Sequence, residues 1–220
     1  MSQDSEASGE HYFTREPSVP SAPRVLQVRV AGFPLVLTTD RGVFSHGKVD
    51  RGTRLLAEAL TLREGARVLD LGCGYGVLGL VAALKCPTCR VTLVDVNARA
   101  CRLAARNAHD NGLAHLEVVE GDPRQVLAGR EFDFIVTNPP CRTGRRTVLD
   151  LFRWSSQALA PQGELWCVIQ TNKGARRYAR DLLAWFAEVQ TVKLSGGYRV
   201  FRALGPGEGH EGQEQPEEED

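Results

Sequence analysis

From Arg67 onward, short apolar runs alternate with longer helical stretches. Val68-Leu-Asp-Leu71, Val91-Thr-Leu-Val94, Leu116-Glu-Val-Val119, Phe132 to Thr137 and Gly163 to Ile169 are brief and mostly apolar, as strands buried on both faces are. Between them, Val77 to Lys85 is an apolar helix, and Ala98 to Asn111 is a helix capped by Asn97 and stopped at Gly112. Helices are also predicted at Val148 to Leu159 and Ala175 to Phe186. Two final strands, about 188 to 194 and 198 to 203, are separated only by Ser195-Gly196-Gly197, too short for a crossover helix, so they must pair antiparallel. The pattern predicts an α/β fold: a doubly wound, mostly parallel sheet of seven strands with an antiparallel last strand. Upstream, Val25 to Val30 and Leu35 to Thr38 flank Ala31-Gly32-Phe33-Pro34 and predict a β-hairpin. A loop from Gly42 to Gly52 then leads to a helix over Thr53 to Leu62, with Asp50 or Thr53 as its cap.

Composition sharpens this in three places. The 220 residues, 42% of them hydrophobic, can bury one good core, and no apolar run approaches the roughly 20 residues of a membrane span. The first residues lack the profile of a signal peptide, so a cytoplasmic location is expected. Of the six cysteines, Cys73, Cys101, Cys141 and Cys167 read as free thiols, and Cys86-Pro-Thr-Cys89 as a helix-end turn with two thiols rather than a metal site. The net charge is zero, but seven acidic residues and no Lys or Arg fall in 205–220, which leaves a formal +7 on residues 1–204. A flexible arm (1–23), one domain (24–204) and a disordered acidic tail (205–220) follow, and the basic body suits a polyanionic partner.

The chemistry gathers where strands end. Asp70-Leu-Gly-Cys-Gly-Tyr-Gly76 lies at the first strand-to-helix junction, where Gly72, Gly74 and Gly76 let backbone approach a ligand closely. Asp95 ends the next strand, placed to take both hydroxyls of a ribose, and Asp122 ends the third, placed for an adenine amino group. Gly74-Tyr-Gly-Val-Leu-Gly79 also matches a dinucleotide fingerprint, but the Asp70 carboxylate would repel a diphosphate and attract the amino group of a methionine moiety. The 132–137 strand stops at Asn138-Pro139-Pro140, a stiff turn offering the Asn138 side-chain carbonyl and the Pro139 carbonyl as acceptors for an amino group.

Together these residues resemble a class I S-adenosylmethionine-dependent methyltransferase, with its Rossmann-like sheet. VLDLGCGYGVLGL is similar to that superfamily's glycine-rich motif, and FDFIVTNPP to the Asn-Pro-Pro motif of enzymes that methylate exocyclic or amide nitrogens. HYFTREP, LTTDRGVFSHGKVDRGTRLL and GGYRVFRAL resemble the small-subunit ribosomal RNA guanine-N2 methyltransferases in their short, single-domain form. The resemblance implies S-adenosylmethionine as cofactor and guanine N2 as acceptor. Asn138, Pro139 and Pro140 would carry the chemistry, and the Gly42–Thr53 loop would lie over the cofactor, with Asp50 and Thr53 near its methionine end and Asn97 in the same site. The family usually has a base-stacking aromatic after Asn-Pro-Pro; here it is Cys141, and Phe44 or Tyr75 is the candidate substitute. RNA would be met by Arg142, Arg145 and Arg146, with Arg176, Arg177 and Arg180 as a second cluster. No metal and no membrane contact are expected, and a monomer and a homodimer stay open. So do other planar nitrogens as acceptors (a protein glutamine amide, adenine N6), a nicotinamide oxidoreductase, and a factor that binds cofactor and RNA without catalysis.

Overall fold

Alternating burial along each strand builds the two layers that cover the sheet. In the computed structural model, which describes residues 17–141 and 143–206, Val68 on β3 (Arg67–Leu71) packs into one hydrophobic cluster, and its neighbours Leu69 and Leu71 pack into another on the opposite face. The same alternation runs through β4 (Arg90–Asp95), β6 (Phe132–Thr137), the long β7 (Leu159–Gln170) and β9 (Tyr198–Pro206); β5 (Glu117–Glu120) and β8 (Phe186–Ser195) are the edges. The order is β5-β4-β3-β6-β7-β9-β8. β3 to β7 pair in parallel, and β9 lies antiparallel between β7 and β8. Helices α2 (Val77–Lys85), α3 (Ala98–Asp110) and α1 (Arg51–Ala59) cover one face, while α5 (Arg145–Ala158) and α6 (Ala175–Leu182) cover the other. The expected doubly wound fold is the one observed. Its strand order reverses at β3, flanked by β4 and β6, so the carboxyl ends of those strands open a crevice.

Several boundaries differ from the sequence pattern. α1 begins at Arg51 because Asp50 caps it, accepting from Thr53 N at 3.1 Å, and it stops at Ala59. α5 begins three residues before Val148, so its exposed first turn holds Arg145 and Arg146. α6 stops at Leu182; Phe186 is the first residue of β8 instead, where burial against the second cluster wins. A four-residue helix, α4 (Pro123–Val126), follows β5. Cys86 and Cys89 are joined in a disulfide rather than carrying two thiols, since the turn after α2 brings their Cα atoms to 5.4 Å; the other four cysteines are free, as expected. Much of the expected arm (residues 1–16) and tail (207–220) lies outside the described residues. Its last part is not loose: Asp40 accepts from Ser21 Oγ and Ala22 N, both at 2.6 Å, and Arg99 donates to Val19 O at 3.0 Å. Among the described residues, no helix is long and apolar enough to cross a membrane.

The N-terminal hairpin, β1 (Arg24–Val30) and β2 (Phe33–Thr39), forms its own two-stranded sheet, and its turn residues Ala31 and Gly32 both have positive φ, as a two-residue hairpin turn requires. α3 holds it by an unusual device. Asn107 accepts from Thr38 N at 2.7 Å and donates to Thr38 O at 3.0 Å; one helical turn later Asn111 does the same to Val36, at 3.0 and 2.8 Å. Helix residues four apart advance about 6 Å, and strand residues two apart about 6.8 Å, so two carboxamides can imitate a partner strand along the edge of β2. Asn107 also donates to Tyr75 O at 2.8 Å, fastening the hairpin to the glycine loop.

Asn107 is fully buried, so Asn107→Leu orphans the Thr38 amide and both carbonyls. We expect it to cost about 3–5 kcal/mol in urea unfolding, and the half-exposed Asn111→Leu under about 1.5 kcal/mol. Equal costs would show that the two amides are not graded by burial.

Candidate functional site

The glycine loop is held between two buried carboxylates. Gly72 N and Cys73 N donate to Val94 O at 2.9 and 3.0 Å, tying the loop to β4. Asp95, at the end of β4, accepts from Gly74 N at 2.8 Å and Asn97 N at 2.9 Å, one on each oxygen. Asp70 accepts from Gly79 N at 2.8 Å through Oδ2. Gly76 has φ 94°, and a Cβ there would meet Leu93 and Ala104 at 3.2 Å, so only glycine lets α2 start at this angle.

Asp70 is 1% exposed, and its Oδ1 has no partner. Burial pushes its pKa to about 7, against the opposing Gly79 N–H and with help from the Asp95 charge. Asp95 is also raised, again chiefly by burial. Two desolvated carboxylates beside a cavity make a site short of positive charge.

At the carboxyl end of β6 the chain turns out through Asn138-Pro139-Pro140. Asn138 Nδ2 donates to Asp50 Oδ2 at 3.1 Å and to Thr53 Oγ1 at 3.0 Å. The Asp50 carboxylate can only accept, so it demands the NH2 end; the amide orientation is thereby fixed and Oδ1 is left without a donor among the described residues. Tyr198 OH approaches Asp50 Oδ1 at 3.4 Å, a contact possible because a Cβ at Gly52 would lie 2.8 Å from the Tyr198 ring. The Pro139 carbonyl is not wholly unengaged: it accepts from Cys141 N at 2.8 Å and keeps one lone pair.

These groups surround a cavity of about 410 Å³. Asp70, Gly72, Gly74, Asp95 and Asn97 line it from one side, and Asn138, Pro139, Pro140 and Cys141 from the other, with Asp50, Thr53 and Phe44 along the loop after the hairpin. A smaller adjoining cavity of about 110 Å³ shares Gly72, Asp95 and Pro140 and is reached by Asp122. The Asp122 carboxylate caps α4 and is clasped by Arg124 at 2.5 to 3.1 Å, which holds its pKa below the usual range.

Other residues singled out from the sequence fare differently. Gly76 lines neither cavity. Asn97 uses its oxygen to cap α3 and its amide to hold Gly42 O at 2.8 Å. Tyr75 is buried, its hydroxyl donating to Lys48 O at 2.8 Å, so it anchors the loop; Phe44 is 53% exposed at the cavity. Arg145 pairs with Asp181 at 2.6 Å, Arg146 is exposed, and neither lines the cavities; Arg142 lies outside the described residues. Arg176, Arg177 and Arg180 are exposed on α6. Lys173, Gln170 and Tyr198 also line the large cavity; Tyr198 falls in the GGYRVFRAL stretch, and no motif indicated the other two. Gln170 could have been found from its place at the end of the strand beside β6. Among the described residues no group of three or more His, Cys, Asp or Glu could hold a metal.

Residues 34–202 match the family model for the methyltransferase small domain. An uncharacterized Bacillus subtilis protein, YbxB, is 37% identical over 88% of this chain and 98% of its own length. A Stutzerimonas stutzeri protein named ribosomal RNA small subunit methyltransferase C is 32% identical over 86% of this chain but only 56% of its own length, so the chain spans about half of the named relatives it matches. A Thermus thermophilus 16S rRNA N2 G1207 methyltransferase, solved with AdoMet and guanosine, superposes with a TM-score of 0.73 at 28% identity, over 86% of this chain and 52% of that one. With its sheet order, glycine loop and Asn-Pro-Pro turn, the chain belongs to the methyltransferase small domain family and has the class I S-adenosylmethionine-dependent methyltransferase fold.

Proposed function

We propose that this protein transfers a methyl group from S-adenosylmethionine to the exocyclic N2 of a guanine in small-subunit ribosomal RNA, within a methyltransferase unit spanning about residues 24–204. The observation that carries it is the Asn138 amide, tethered through Nδ2 to Asp50 and Thr53 so that Oδ1 remains for an incoming N–H. The ribosomal substrate is supported by the named relatives, and the guanine by the guanosine held in the Thermus structure.

The residues present fit the cofactor. The orphaned Asp70 Oδ1 suits its cationic amino group, each Asp95 oxygen keeps a lone pair for a ribose hydroxyl, and Asp122 borders the smaller cavity where an adenine would sit. When bound, S-adenosylmethionine supplies an electrophilic methyl group on a sulfonium. The guanine amine is a weak nucleophile because its lone pair is delocalised into the ring. Asn138 Oδ1 and the remaining lone pair of Pro139 O accept its two hydrogens, favouring a pyramidal nitrogen aimed at the methyl group. The methyl group would pass from sulfur to nitrogen, leaving the cofactor as a neutral thioether, and the acidified nitrogen would then lose its proton to solvent. Positioning supplies most of the rate. Asp50 and Thr53 are positioning residues in this reading, Phe44 stacks on the unpaired base at the exposed rim, and Cys141 fills the place of the family's aromatic. Arg145, Arg146 and the α6 arginines meet phosphate.

Asn138→Ala should lower kcat by about 10²–10³ while S-adenosylmethionine affinity, read by calorimetry, stays within about threefold; parallel loss of both would sink the assignment. The raised Asp70 pKa has a signed consequence. In the free protein Asp70 stays protonated up to about 7, where the unfolded chain would already be ionised, so its contribution to stability falls as pH rises from about 4 towards 7. A cationic ligand favours the ionised form. Cofactor affinity should therefore rise from pH 5.5 to 7 with proton release, and Asp70→Asn should weaken binding and flatten that rise. An unchanged slope in Asp70→Asn would remove Asp70 from the amine site. For RNA, Arg146→Glu combined with Arg176→Glu should reduce the salt dependence of binding by roughly 0.7 in log–log slope per lost phosphate contact. An unaltered slope would mean that these arginines are solvated surface.

A further inference from the structure

Gln170 is the last residue of β7, the strand next to β6 in the sheet. Thr137 pairs with Cys167, so Gln170 lies three residues further toward the carboxyl edge, level with the turn through Asn138-Pro139-Pro140. Extending that register sets Gln170 opposite Pro140, two residues beyond Asn138, and both carboxamides line the same cavity. Trp166 and Val168, four and two residues before Gln170, pack into the cluster on the α1 face, and Gln170 shares that side with Tyr198, its partner on β9. Gln170 is half-buried and lines the large cavity. Its amide makes no hydrogen bond among the described residues, whereas the other side-chain amides lining the cavity, Asn97 and Asn138, are both held at their NH2 ends.

An unengaged carboxamide beside the amine-binding turn has a definite complement. Guanine presents, next to its exocyclic amine, an N1–H donor and then the O6 acceptor. A glutamine amide matches that pair with two parallel bonds: Oε1 accepts from N1–H and Nε2 donates to O6. Adenine or cytosine, held by its own amine, offers a ring acceptor at the adjacent position and no donor beside it, so one of the two bonds is lost and the amide oxygen faces nothing it can accept from. A polar group left unpaired in a partly closed site discriminates more strongly than any apolar contact.

We infer that Gln170 reads the N1–H/O6 edge of the target base and so selects guanine over the other amine-bearing bases, an inference that rests on the proposed guanine-N2 activity. Asn138 and Gln170 then divide the base between them, one holding the reacting amine and the other the lactam edge.

The test uses methyl transfer to small-subunit ribosomal RNA, with two nucleosides as competitors. Inosine keeps N1–H and O6 but lacks the amine; 2-aminopurine riboside keeps the amine but lacks the lactam edge. In Gln170→Leu, inosine inhibition should weaken at least tenfold relative to wild type, inhibition by 2-aminopurine riboside should change less than threefold, and cofactor affinity should be unaltered. Gln170→Glu, which keeps the size but cannot donate to O6, should behave like Gln170→Leu. Inosine inhibiting wild type and variants alike, including inhibition of none, overturns the inference. Failure of the wild-type protein to label any guanine overturns the proposed activity and this inference together, which separates the two outcomes.

Discussion

Two hydrogen bonds from Asn138 Nδ2, to Asp50 Oδ2 and Thr53 Oγ1, join the sheet's carboxyl edge to the cap of α1. They fix which end of the amide faces the cavity, and they require α1 to sit at one height over β6. Much of the N-terminal structure serves that placement. Asp50 caps α1, Tyr198 approaches the same carboxylate over Gly52, and the hairpin ahead of α1 is held by the paired amides of Asn107 and Asn111. The family model begins inside this hairpin, at residue 34.

The other half of the site is governed by desolvation. Asp70 and Asp95 sit at the ends of adjacent parallel strands with no cation beside them among the described residues, and burial raises both. Such an arrangement costs stability unless something positive arrives. The backbone N–H groups of Gly74, Asn97 and Gly79 offset part of that cost, and the one unpaired oxygen, Asp70 Oδ1, marks where the remainder would be relieved. A diphosphate is the wrong ligand for this pair, and a sulfonium amino acid is the right one. Charge separates the methyltransferase from the dinucleotide reading more firmly than the glycine spacing does.

The base end of the cavity differs in kind. Cys141, Phe44, Lys173, Tyr198 and Gln170 come from five separate segments and share no motif. In the proposed reading the cofactor end is set by short, local sequence patterns, and the acceptor end by whichever side chains the sheet order and loops bring together.

The sequence by itself determined the strand–helix alternation, the antiparallel pairing of the last two strands, the Asn97 cap and the glycine loop, because each depends on residues within a turn or two of one another. It also carried Asp70, Asp95 and Asn138, since strand ends in a parallel sheet are visible as the last apolar residue before a polar one. Only the tertiary structure decided that Asp50 and Thr53 grip Asn138, residues 88 and 85 positions apart from it, and that Asn107 stands in for a strand against Thr38. It also anchored the Tyr75 hydroxyl on Lys48 O, closed Cys86 onto Cys89 and brought Gln170 level with the Asn-Pro-Pro turn. The physical reason is range: periodicity and capping are local energies, whereas the partner of a buried amide or carboxylate is chosen by packing between segments far apart in the chain.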